Sequence, residues 1–148
     1  MTGAALLALV QALLPAGVAV DEGGEAAIAP LPGAYALCLH LAQPLDFVRP
    51  GLSGVLPIGW YVYAGSARGA GGMRARLGRH LRRDKPVHWH VDEVTRVAAA
   101  RAALAIAGGD ECAIVTALLA SGQFAPALAG FGSSDCRHCP AHLLRLTG

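Results

Sequence analysis

Two short β-patterned runs, split by a proline- and glycine-rich stretch and followed by a glycine break and a helical pattern, constrain this chain most. Tyr35, Leu37, Leu39 and Leu41 alternate with Ala36, Cys38 and His40. That period of two predicts a half-buried strand. GWYVYAG at 59–65 is aromatic and β-branched and predicts a second strand, antiparallel to the first. Between them, Pro44, Pro50, Gly51, Gly54, Pro57 and Gly59 predict a loop or an irregular short strand. Gly69, Gly71 and Gly72 then break the chain. Met73, Leu77 and Leu81 follow at the spacing of one helix face, with Arg76, Arg79, His80 and Arg83 on the other. Pro86 is expected to end this helix.

Further on, HWHVDEV (88–94) has no clear local preference, and the Ala- and Val-rich run from Val94 to Ile106 suits a third strand. Gly108 and Gly109 predict a turn, and Asp110 an N-cap for a helix through Cys112, Val115, Leu118 and Leu119. From Phe124 onward the chain reads as loop. The expected fold class is α+β: a small, mostly antiparallel three-stranded sheet flanked by helices. Residues 32–148 form the expected domain, and residues 1–31 an apolar N-terminal extension and linker. Met1 to Val20 is almost wholly apolar but carries no Lys or Arg, and Pro15 and Gly17 interrupt it. This suits neither a secretory signal nor a membrane span, and predicts a short helix docked on the domain, or an upstream extension, in a cytoplasmic protein with no membrane partner.

The formal net charge is only +2, yet seven of the twelve Lys and Arg lie between Arg68 and Lys85. Arg68, Arg74, Arg79, Arg82, Arg83 and Lys85 thus form a candidate nucleic-acid-binding face around Arg76. The alternative is a solvated helix face. Of the four cysteines, Cys38 and Cys112 fall in apolar runs and are expected in the core. Cys136, Cys139 and His142 give C-x2-C-x2-H. With Asp135, His88 or His90 as a fourth ligand they could hold Zn²⁺; otherwise they are buried groups of a terminal loop. On a strand, His88, His90 and Asp92 would share one face and form a second metal or phosphate site; on a helix they would scatter.

The ordered set GAY (33–35), YAG (63–65), Arg76-Leu77, His80 and the later GFGSSDC resembles the GIY-YIG nuclease superfamily, in particular its short stand-alone Uri-type branch. The resemblance implies a metal-dependent endonuclease acting on DNA, single-stranded or branched. It implies catalytic roles for Tyr35, Tyr63, Arg76 and His80, and Glu111 as the ligand of one Mg²⁺ or Mn²⁺. A phenol has a pKa near 10, so Tyr63 as a base needs that value lowered by metal or arginine. Arg76 would grip the scissile phosphate, and His80 would share a proton or bind phosphate. Ser66 stands where the superfamily commonly has Lys, with Arg68 as a possible substitute. That departure keeps open a non-catalytic nucleic-acid-binding module or an accessory domain of a DNA-repair partner protein. Tyr61 is expected to pack.

Overall fold

The long central strands are where the alternation and the aromatic run lie. In a computed structural model, which describes residues 1–132 and 138–147, the chain begins with α1 (Gly3–Leu13) and β1 (Val18–Asp21). Next come β2 (Gly33–Leu41), the hairpin β3 (Leu45–Arg49) and β4 (Leu52–Leu56), and β5 (Gly59–Ala67). The remainder is α2 (Gly72–His80), α3 (His90–Val97), β6 (Ala100–Ala107), α4 (Glu111–Ala120), β7 (Phe124–Pro126) and β8 (Leu143–Leu146).

The protein is α+β, but the main sheet has six strands among the described residues, not three, in the order β1-β6-β2-β5-β8-β7. Every neighbouring pair in it is antiparallel. The added strands β1, β7 and β8 span only three or four residues each, too short for a period to register. The stretch expected as a loop or an irregular short strand holds two regular strands, β3 and β4, which form a separate two-stranded sheet. α2 ends at His80, well before Pro86.

β2 is buried on both faces rather than one. Its alternation is between large and small apolar residues. Tyr35, Leu37, Leu39 and Leu41 pack with Met73, Leu77, Val91 and Val94 from α2 and α3. Ala34, Ala36 and Cys38 face the other way, against Leu6 and Val10 of α1 and Ile114, Val115 and Leu118 of α4. Small side chains on that face let the two helices approach closely. Burying Met73, Leu77 and Leu81 stabilises α2 on the sheet by about 1.5–3 kcal/mol each. α1 therefore docks on the sheet, and β1 pairs with β6, so residues 1–31 contribute core and edge. Among the described residues no helix is long and apolar enough to cross a membrane.

Gly33 marks where three elements meet. A Cβ there would stand 2.4 Å from the Ile106 carbonyl oxygen and 2.7 Å from the Met73 sulfur. The oxygen belongs to the β2–β6 ladder and cannot retreat freely. Gly33→Ala is expected to cost about 1–3 kcal/mol, as overpacking does. Urea unfolding should show a lower midpoint at unchanged slope; an unmoved midpoint would refute the close contact.

Candidate active site

β5 runs into α2, and β6 into α4, at the same end of the sheet, because Gly33 pairs with both Ala67 and Ala107. A cleft of ≈ 330 Å³ opens there, lined by Tyr35, Tyr63, Ser66, Arg76, His80, His88, Trp89, His90, Glu111 and His142 among others. Tyr35 lies opposite Gly65 in the β2–β5 register. A Cβ on Gly65 would fall 2.4 Å from the Tyr35 hydroxyl, so glycine makes the room that the ring occupies.

The Tyr35 hydroxyl meets His80 Nε2 at 2.8 Å, with His80 only 1% exposed. Burial, reinforced by Lys85, pushes the imidazole pKa down to about 3, so the ring is neutral at neutral pH. A neutral ring has one donor and one acceptor nitrogen. Asp92 Oδ1 lies 4.0 Å from His80 Nδ1. Its negative charge favours the tautomer with the proton on Nδ1, which leaves Nε2 to accept from Tyr35. Tyr35 is then left to accept through its oxygen lone pairs, with the Arg76 guanidinium among the groups that face them. Burial also raises the pKa of Tyr35, with Tyr63 adding to the effect. Tyr63 is pushed up to about 12 by burial, against the pull of Arg76. A phenol acting as a base needs a lowered pKa; the surroundings of this protein raise both. Tyr61 is fully buried, its hydroxyl donating to the Pro57 carbonyl, and serves packing.

Arg76 donates to the Ser66 carbonyl at 3.0 Å and stacks 4.3 Å over the centre of the Trp89 ring. Trp89 carried no signal as a single residue; its place beside two histidines in HWH was the available hint. The rest of the basic cluster is largely engaged elsewhere. Arg79 pairs with Asp92 at 2.8 Å and also donates to the Pro86 carbonyl. Lys85 is buried, and its ammonium donates to the Arg79 and His80 carbonyls at the end of α2. Such a cation satisfies last-turn carbonyls and the helix dipole. Arg74 donates to the Ile28 carbonyl and Arg83 to that of Ala98. Arg68 and Arg82 are exposed. The polyanion face is therefore thinner than the residue count suggested.

His88, His90 and Asp92 do not share a strand face, because α3 begins at His90. His88 and His90 reach the cleft. Asp92 turns away from it, fully buried at the third position of α3, and accepts from the His88 and Trp89 backbone N–H groups at 2.8 and 2.9 Å. Burial alone would raise its pKa; the Arg79 and backbone hydrogen bonds outweigh that and hold it below the ordinary value. Glu111 opens α4 directly after the Asp110 N-cap, whose side chain accepts from the Cys112 N–H. Glu111 Oε2 is buried with no hydrogen-bond partner among the described residues; Arg68 stands 4.0 Å away. Asp135 and Cys136 lie outside the described residues.

The class so defined is an α+β protein with a polar cleft of tyrosine, arginine, histidine and one carboxylate at the end of an antiparallel sheet. A family model described as a domain of unknown function, DUF123, matches residues 34–148, and the chain belongs to that family. This corrects the resemblance drawn from the tripeptides, since no model of the GIY-YIG superfamily matches. GAY and YAG describe a strand pair in which a glycine makes room for a tyrosine ring, a packing need not confined to one superfamily. No curated protein and no solved structure matches the chain.

Proposed function

We propose that the cleft binds a phosphodiester of DNA and hydrolyses it with one divalent cation, Mg²⁺ or Mn²⁺, held by Glu111. The convergence of Tyr35, Tyr63, Arg76, His80 and Glu111 on one cleft carries this reading. The donor set fits such an ion: a buried carboxylate oxygen without a partner is what a hard cation satisfies, and Mg²⁺ accepts a single carboxylate beside retained waters. A bound ion would supply water activation and charge neutralisation. Arg76, braced by Ser66 and Trp89, keeps N–H groups of its fork for phosphate oxygens. Tyr35, oriented by His80, offers lone pairs to a water's hydrogen. Tyr63, neutral at neutral pH, donates a hydrogen bond rather than removing a proton.

The raised phenol pKa values favour a second reading, binding without cleavage. Incubating plasmid and single-stranded DNA with the protein separates the two. Cleavage that needs Mg²⁺ or Mn²⁺, stops with chelator and vanishes in Glu111→Ala supports the first. Metal-independent binding without cleavage, weakening steeply with salt, establishes the second. Neither binding nor cleavage at low salt would sink both.

A further inference from the structure

Cys112, in the first turn of α4, and Cys139 and His142, just before β8, come from distant parts of the sequence. Their ligand atoms all lie within 4.8 Å of one another. Cys112 was expected to be a core residue; it is half-buried and belongs to this cluster. His142 is only 5% exposed, and its Nε2 is buried without a hydrogen-bond partner among the described residues. A buried imidazole nitrogen in that condition carries a desolvation cost that a metal ion would remove. Backbone hydrogen bonds hold the described residues beside the cluster. The His142 N–H donates to the Phe131 carbonyl at 2.8 Å, its carbonyl accepts from Ala64, and Gly130 donates to Pro140.

We propose that Cys112, Cys139 and His142 form a binding site for Zn²⁺. Two sulfurs and one imidazole are the donor set of zinc and other thiophilic ions, whereas Mg²⁺ prefers oxygen. Zn–S contacts of about 2.3 Å and Zn–N contacts of about 2.0–2.1 Å require only small inward shifts of the three groups. On binding, the two thiols lose their protons to solvent, so uptake releases protons and weakens in acid. The ion would tie the first turn of α4 to the β8 end of the sheet. Glu111 precedes Cys112 directly, so the same ion would steady the turn that carries the Glu111 carboxylate. Zinc uptake does not depend on whether the cleft cuts DNA.

The test is metal analysis of the full chain purified under reducing conditions, with Co²⁺ titration as a spectroscopic probe. About one zinc per chain is expected, with Co²⁺ giving thiolate charge-transfer and tetrahedral ligand-field bands. Cys112→Ser and Cys139→Ser should each weaken Co²⁺ binding by at least about a hundredfold, while Cys38→Ser, a buried thiol that is not one of the three ligands, should not. Should the serine variants fail to fold, alkylation of the wild type decides: zinc must protect Cys112 and Cys139 from the reagent. No Co²⁺ spectrum in the reduced wild type, unprotected thiols, or a Cys112–Cys139 disulfide in place of metal would each overturn the site.

Discussion

Asp92→Ala is expected to destabilise the protein by about 3–5 kcal/mol, the usual cost of removing one partner from a buried ion pair. The carboxylate is fully buried and holds Arg79 at 2.8 Å together with the His88 and Trp89 backbone N–H groups. Alanine would leave all three partly buried donors without their acceptor and undo the start of α3. Asp92→Asn keeps the shape and one acceptor oxygen, so it should lose less. The same carboxylate predicts acid lability. Its folded-state pKa is depressed. Its contribution is therefore complete above the unfolded value, about 4, and drains away as pH falls through the lower folded value. Chemical denaturation across pH measures both effects. If wild type and Asp92→Ala lost stability in parallel down to strongly acidic pH, the depressed pKa would be refuted.

Glu111→Gln is expected to do the opposite. On the proposed reading it removes the one carboxylate that holds the ion, and cleavage should fall by about a thousandfold or more, beyond the loss of a single charge-stabilising donor. Stability should stay level or rise. The buried Oε2 has no hydrogen-bond partner among the described residues, and an amide in its place carries no charge to desolvate. Loss of turnover with retained stability marks a group held for function at a cost to the fold. Rate measurements beside thermal unfolding decide it. A variant that unfolds early, or cleaves like wild type, would show that Glu111 serves the fold or nothing at all.

The parts legible from sequence are those whose pattern outlasts a few residues. β2, β5, α2 and α4 each run for nine or ten residues and carry their own punctuation: Gly33, the glycines at 69–72 and Asp110. β1, β7 and β8 draw their stability from neighbours and leave no period to read. Tyr35, Tyr63, Arg76 and Glu111 were named through the resemblance, not by any local pattern, and they do line one cleft. What was not legible is pairing across space. Nothing local says that Lys85 caps α2 instead of facing solvent. Nor could Cys112, set in an apolar helical run, be told from a core thiol until α4 was laid beside the segment before β8. The short tripeptides misled for a related reason: they encode a packing contact, Tyr35 against Gly65, more than a lineage.

The pairing of β1 with β6 also bears on how the protein can be handled. The family match begins at residue 34, yet β6 is an interior strand only because Val18–Asp21 lies alongside it. A fragment trimmed to the matched span would lose that partner together with Leu6 and Val10. It would present a bare row of backbone donors and acceptors beside freshly opened apolar surface, the combination that recruits a second chain edge to edge. The first thirty-odd residues thus cover an edge and a face that the rest of the sheet would leave open, and any expression design should carry them along.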